Sequence, residues 1–174
     1  MTNGRPISGL KRSGPLRLLR HNGPPHESAA LLRDLAERGI NLAAFHQEAV
    51  SSQGSPAWLL LRPEDSPAVL SLARDRARRL GEPPPAEPLP VETFTLYPAG
   101  RQADLSILAH ASLHGAGADA LASCTSLSAL VLVLPAENAE KALSVLLAVF
   151  PLPPGVSPCL ETVRVVQKPR PAHA

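Results

Sequence analysis

The fold of this chain is decided by residues 28–51, which read SAALLRDLAERGINLAAFHQEAVS. Leu31, Leu32 and Leu35 recur at the spacing of one helix face, so the first half of the stretch predicts an amphipathic helix. Gly39 follows where helices often end in a left-handed conformation, which glycine adopts without a Cβ clash. The chain continues into the apolar residues 40–42, which predict a strand after the helix.

The same pattern returns later in the chain, in residues 106–126, which read SILAHASLHGAGADALASCTS. Gly115 and Gly117 supply the helix stop, and Gly117 stands 78 positions after Gly39. Two copies of one pattern predict two related units, which we place at residues 7–90 and 91–168, with final strands that can be exchanged between the units. The proline-rich stretch GEPPPAEPLP, residues 81–90, predicts a stiff connection between them.

Each copy reads as strand, helix, strand, strand, helix, with a further strand available to close it. This order predicts an α+β fold made of two ferredoxin-like βαββαβ units, with antiparallel sheets and helices on one face. One face of such a sheet is left bare. We therefore expect a homodimer that covers apolar surface, including the apolar strands at 57–61 and 130–134.

Composition restricts the class of partner. The formal net charge is +2 and aromatic residues make up 3% of the chain, which argues against a nucleic-acid partner. The longest apolar run, residues 129–135, is too short to span a bilayer, and the first 14 residues lack the apolar segment of a signal peptide. Cys124 and Cys159 make no disulfide framework. These features predict a reduced, cytoplasmic protein with no membrane partner.

No pattern in the chain predicts catalysis, a metal site or a cofactor. The segment at 123–126 reads SCTS without the glycines that surround a nucleophile, so we interpret it as strand. His21, His26 and His46 match no closed zinc pattern. The basic segment at 74–79 has an interleaved Asp75 and is typical of a solvated helix face. We expect a protein that is not an enzyme.

From Ile7 to Phe150 the chain resembles a tandem pair of ACT domains, and most closely the C-terminal regulatory half of aspartate kinases. The resemblance is carried by ISGL at 7–10, LAERGIN at 35–41 with Gln47, CTS at 124–126, and AEKAL at 139–143. The chain departs from those kinases in the first loop, where Gly23 stands near an acidic position and Pro25-His26 replaces a Pro-Gly pair. Their kinase catalytic domain has no counterpart here.

The loop before the first helix is the predicted ligand site. Free N–H groups and the dipole at a helix N-terminus attract a carboxylate, and Glu27, Asn41 and Gln47 are candidates to accept an ammonium group. In the kinases that the chain resembles, effector amino acids bind between this loop and the next strand. By that resemblance the site comprises Asn22, Gly23, Pro24, Pro25, His26, Ile40, Asn41 and Gln47. The alternative is a turn that serves only to start a helix.

The second copy offers Arg101 and Gln102 as its equivalent loop residues. Arg101 can pair with a carboxylate, although it can equally be a solvated loop residue.

Together these features predict a free-standing tandem ACT regulatory module that binds a small molecule, an amino acid, and regulates amino-acid metabolism through its assembly or through an enzyme partner. The alternative is a ligand-free dimerisation or docking module for a metabolic enzyme. The polar loop favours the first function, and the altered loop chemistry favours the second.

Overall fold

The computed structural model describes residues 6–47, 55–100 and 104–162. The strands are β1 (Ile7–Gly23), β2 (Ala44–Gln47), β3 (Ser55–Leu61), β4 (Leu89–Pro98), β5 (Ala122–Thr125), β6 (Leu130–Pro135) and β7 (Cys159–Thr162). The helices are α1 (Pro25–Glu37), α2 (Ser66–Leu80), α3 (Leu105–Gly115) and α4 (Ala139–Val149), and a 3-10 turn, Ala136–Asn138, precedes α4.

All of these strands belong to one sheet, with the order β2-β3-β1-β4-β6-β5. Neighbours along this path are antiparallel, and β7 lies off the path, parallel to the first half of β1. The predicted α+β class, with two ACT-like helix pairs on an antiparallel sheet, is confirmed. The parallel pairing of β7 is an addition that the sequence did not predict.

Strand β1 runs through both halves of the molecule. Its residues 17–23 pair with β3, while residues 7–18 pair with β4. From the sequence, the polar and glycine-rich residues 1–14 are predicted to be an extended lead-in, and Leu16, Leu18 and Leu19 a short apolar strand. That expectation is wrong from residue 7 onward, because Ile7 and Leu10 are buried beneath the second pair of helices. The predicted division into 7–90 and 91–168 stays a prediction, since β1 and β4 pair across it.

The predicted glycine stops are confirmed, and the two copies close their first helices in the same way. Gly39 and Gly117 both take positive φ, 69° and 63°. The N–H of Ile40 donates to the carbonyl of Leu35 at 2.9 Å, and that of Ala118 donates to the carbonyl of Leu113 at 2.9 Å. These bonds satisfy helix carbonyls that would otherwise lack a partner. The repeat of 78 residues is thus visible in backbone hydrogen bonds.

The helices pack on one face of the sheet in two separate cores. Helices α1 and α2 cover β3 and the second half of β1, with Leu19, Leu31 and Leu35 among the fully buried side chains. Helices α3 and α4 cover β4, β6 and the first half of β1, with Phe94 and Phe150 at the centre. Each copy therefore has its own helix pair and its own core.

The opposite face of the sheet, here called the inner face, is covered within the chain. The sheet curls, so that strand residues of the two halves pack together without any helix. This cluster comprises Leu16, Leu18, Trp58, Leu60, Val91 and Val133, with Ala44, Leu121 and Ala122 against it. The bare face on which we based the homodimer is therefore absent from the described residues, and the expected homodimer needs another surface.

Several element boundaries differ from those predicted. The sequence predicts the first helix at about residues 27–38, whereas α1 begins at Pro25, because proline is well suited to a first helical position, where an N–H is not needed. It also predicts a strand at about 40–50, of which Ala44–Gln47 is described as strand, and residues 48–54 lie outside the described ranges. A final strand is predicted at 160–166 and is described as Cys159–Thr162, and the tail, predicted to be disordered, lies outside the described ranges.

Leu18 provides a test of the packing between the halves. It is fully buried on the inner face, on the strand that both halves share, so Leu18→Ala should destabilise the protein by about 2–5 kcal/mol. Urea unfolding measures this as a lower midpoint at an unchanged slope. Leu127, which is fully exposed, is the matched control, and Leu127→Ala should change stability by less than about 0.5 kcal/mol. Equal effects of the two substitutions would contradict this packing.

Candidate functional site

The turn between β1 and α1 offers fewer backbone donors than the sequence suggested. Pro24 and Pro25 have no N–H group, and the N–H groups of Glu27 and Ser28 both point at the carbonyl of Pro24, at 2.9 and 3.3 Å. This leaves the N–H of His26 as the first-turn donor that is not engaged with that carbonyl. The helix can therefore present one backbone N–H to an anion, rather than the group of donors that we expected near His26 and Glu27.

A cavity of about 630 Å³ lies beside this turn, and we call it the helix-side cavity. Three of the predicted ligand residues, Asn22, Gly23 and Pro24, form one wall. The other walls come from the end of α2 and the proline-rich connection. Those residues are Ala77, Glu82, Pro83, Pro84, Pro85 and Ala86, and β1 adds Arg20 and His21. The volume is in the range of small-molecule sites.

His21 is the most unusual side chain of this cavity. It is only 8% exposed, and its Nε2 atom is buried without a hydrogen-bond partner in the described part of the chain. A Cβ atom placed on Gly23 would lie 3.1 Å from that Nε2. The absence of a side chain at Gly23 thus lets the imidazole pack closely against the turn. Buried polar atoms in folded proteins nearly always have a partner, so a water or a ligand group is expected to bond this nitrogen.

Burial controls the protonation of His21. Removal of the ring from water lowers the pKa of His21 below its usual value of 6.5, because burial disfavours the charged form. The nearby carboxylates of Glu82 and Glu27 oppose this shift, and Arg76 adds to it. The imidazole is therefore neutral at physiological pH, and its Nε2 can accept or donate one hydrogen bond depending on the tautomer.

The remaining first-turn residues, His26 and Glu27, have different surroundings. The His26 side chain is exposed. The Glu27 carboxylate lies 2.9 Å from Arg76, and the same guanidinium contacts Asp34 at 2.8 Å. The hydrogen bond that Arg76 donates to the Asp34 carboxylate lowers the pKa of Asp34. Arg76 thereby ties α2 to α1. Because Glu27 is already paired, it is a weaker candidate for an ammonium group than the sequence suggested.

Gln47, on β2, is not among the residues that line the helix-side cavity. Its Nε2 donates to the hydroxyl of Ser28 at 3.2 Å, and Ser28 is buried in the first turn of α1. Ile40 packs against the core under α1 and α2, and its N–H closes that helix. Asn41 is half-buried in the connection to β2. Of these three predicted residues, Gln47 therefore approaches the start of α1, whereas Ile40 and Asn41 lie beyond its C-terminal end.

Arg101 and Gln102 lie outside the described residues. The segment 123–126, which we interpreted as strand, falls in β5 apart from its last residue, and Cys124 is exposed.

Among the described residues no three histidine, cysteine or carboxylate side chains meet as a metal site. No helix in the described ranges has the length and apolar character to cross a bilayer. Arg74, Arg76 and Arg78 of α2 all pair with carboxylates.

Sequence reasoning missed the three titratable members of the helix-side cavity: Arg20, His21 and Glu82. His21 carried a usable signal, because from Leu19 onward the residues of β1 alternate between buried and exposed, and His21 falls on the buried side. Glu82 carried none, since it enters the cavity only through the packing of the proline-rich connection against β1.

Comparison with solved structures shows which fold this is. The regulatory subunit of aspartate kinase from Thermus flavus superposes with a TM-score of 0.73 at 17% identity, covering 83% of this chain and 99% of that chain. The chain has the fold of an aspartate kinase regulatory subunit. The ligand-free regulatory subunit from Thermus thermophilus gives 0.68 at 16% identity, covering 84% of this chain and 99% of that one.

Aspartate kinase from Synechocystis gives a TM-score of 0.74 at 13% identity, covering 97% of this chain and 30% of the kinase. Neither a family model nor a curated protein sequence matches the chain. At these identities the likeness establishes the fold. The resemblance that the sequence suggested is confirmed at that level.

The lowered pKa of His21 predicts a pH dependence of stability. The folded state disfavours the protonated ring. The free energy of unfolding therefore has its full value above pH 6.5, and it decreases as the pH falls below that value. Urea unfolding at a series of pH values should show this loss in the wild type and a smaller loss in His21→Gln. The exposed His26 is the control, and His26→Gln should follow the wild type. An unchanged pH slope in His21→Gln would contradict the burial argument.

Proposed function

We propose that the chain is a non-catalytic regulatory module that binds an amino acid at the β1–α1 turn and acts in the cytoplasm on an enzyme of amino-acid metabolism. The observation that carries the proposal is the helix-side cavity, whose lining includes His21, with a buried ring nitrogen that has no hydrogen-bond partner among the described residues. The fold supports it, since known regulatory subunits of aspartate kinase are built in the same way.

The lining of the cavity, together with the adjoining start of α1, suits a zwitterion. Glu82 makes no ion pair within the described residues, so its carboxylate is available to an ammonium group. The His26 N–H and the dipole of α1 favour a carboxylate at the helix start. The neutral His21 can add one hydrogen bond to a polar side chain of the ligand. In this arrangement Glu82 takes the ammonium role for which the sequence favoured Glu27, Asn41 and Gln47.

Regulation requires that the ligand bind one state of the protein better than another. The helix-side cavity lies against the connection that leads from α2 to β4, so a bound ligand would contact the segment between the two copies. We propose that binding changes the contacts of this segment and thereby the assembly of a homodimer or the docking of the enzyme. A ligand-free docking module is less favoured, because it leaves the buried His21 nitrogen and the polar cavity without a role.

Isothermal calorimetry with the common amino acids tests this function. One of them should bind the wild type, and Glu82→Gln should weaken that binding about tenfold or more, because a charge-assisted hydrogen bond is lost. Glu87→Gln is the matched control, since Glu87 follows in the same connection but pairs with Arg74. Absence of binding heat with every amino acid, on protein shown to be folded, would remove the proposal.

Gln47 needs a separate comparison, because its side chain also holds Ser28. If Gln47 contacts the ligand, Gln47→Ala should weaken binding by roughly 1–3 kcal/mol, and Ser28→Ala, which removes the same internal bond, should weaken it less. Calorimetry on the two variants decides between a contact and a supporting role. Equal losses would mean that Gln47 acts only through Ser28.

A further inference from the structure

We infer that the inner face of the sheet holds a second ligand site, which binds a small organic anion with a planar apolar part. The site is a cavity of about 470 Å³ between the two halves of the chain, here called the inner-face cavity. Strands β1, β2 and β3 of the first copy form its floor. Residues 121–123, at the start of β5 in the second copy, close it from the other side.

The floor of the inner-face cavity is a row of three side chains in register. Arg20 on β1 pairs directly with Trp58 on β3, and Trp58 pairs directly with His46 on β2. Residues directly opposite each other in an antiparallel sheet point to the same face. The rings of His46 and Trp58 are stacked with their centroids 5.1 Å apart. The row therefore places a guanidinium beside an aromatic pair, in which Trp58 is 9% exposed and His46 is half-buried.

Arg20 gives the cavity its charge. Among the residues that line the inner-face cavity it is the sole permanently charged one. Within the described ranges it makes no ion pair, whereas Arg12, Arg62 and Arg76 all pair with carboxylates. A guanidinium without a carboxylate partner binds carboxylates and phosphates through paired hydrogen bonds. An anion is therefore the ligand that this charge selects.

Polar groups at the rim can orient such an anion. The Ser123 hydroxyl lies 3.0 Å from Nε2 of His110, which holds its position at the edge of the cavity. Asn22 adds an amide on the opposite side. A few polar groups that converge above an apolar floor are the usual composition of a small-molecule site.

A second cavity on the same face provides an internal comparison. It measures about 420 Å³, and it is closed by residues 42–44 of the first copy over the sheet of the second. Residues 42–44 and 121–123 are nearly the same segment in the two copies, given the repeat of 78 residues. Its floor pair, Thr95 and Val131, is also in register. Its cation, Lys11, already pairs with Glu161.

The comparison shows what is special about the inner-face cavity. Both copies form a cavity at this place, so the space itself follows from the repeated fold. The aromatic pair and the unpaired cation occur in one of the two, where the other has aliphatic and hydroxyl side chains and a closed ion pair. Packing of the sheet does not require these side chains of the first copy, so we assign them to recognition of a ligand. Because the ligand would touch both halves, its binding would also stabilise their contact.

Trp58 makes the site directly measurable, because it is the only tryptophan in the chain. The test is a titration of its fluorescence with benzoate, excited at the red edge of tryptophan absorption, where benzoate does not absorb. Benzamide, which has the same shape without the charge, and inorganic phosphate, which has charge without a ring, are the matched ligands. Benzoate should change the emission in a saturable way and bind about tenfold or more tightly than either.

Variants then locate the site. His46→Ala and Ser123→Ala, which line this cavity and not the helix-side one, should each weaken benzoate binding, and Arg20→Gln should abolish its preference over benzamide. Thr95→Ala, in the comparison cavity, should leave the affinity unchanged. Circular dichroism confirms that each variant is folded. No saturable change with benzoate, equal binding of benzoate and benzamide, or stronger binding of phosphate would each overturn the inference, whatever the outcome with amino acids.

Discussion

The structure depends on one continuous strand. Strand β1 runs for 17 residues and hydrogen-bonds to β3 through its second half and to β4 through nearly all of its first. Neither helix pair has a complete sheet to cover without it. Because the strand continues from one half into the other, the two sheets become one, and its curl brings the inner faces of both copies together. The Leu16 and Leu18 side chains lie where this happens.

This constraint explains why the sequence predicted the units better than their connection. The helices and their ends follow from local rules, and the glycines at 39 and 117 end two helices with matching hydrogen bonds. The first half of β1 has no such local signal. Its residues ISGLKRSG are polar enough to read as a lead-in, and they become a strand only because β4, many residues later, pairs with them. The covered inner face was unpredictable for the same reason.

The candidate sites show the same division between local and distant information. Asn22, Gly23 and Pro24 could be found from the sequence, since the turn before a helix is a local feature. Glu82 could not, because it reaches the helix-side cavity through the path of the proline-rich connection. The row of Arg20, Trp58 and His46 depends on the register of three strands, which a single sequence does not determine. Prolines 24 and 25 also change the chemistry of the turn, since they remove donors that a helix start normally offers.

The central claim is that β1 makes the two copies one cooperative unit, and native-state hydrogen exchange tests it most directly. The amides to follow are those of Leu59 in β3 and Leu132 in β6, which lie in the separate cores of the two copies. If β1 joins the copies, both amides should exchange only by global unfolding, with the same free energy of opening and the same dependence on denaturant. A lower free energy of opening for one of them, with the other still protected, would show that the copies unfold separately and would contradict the account.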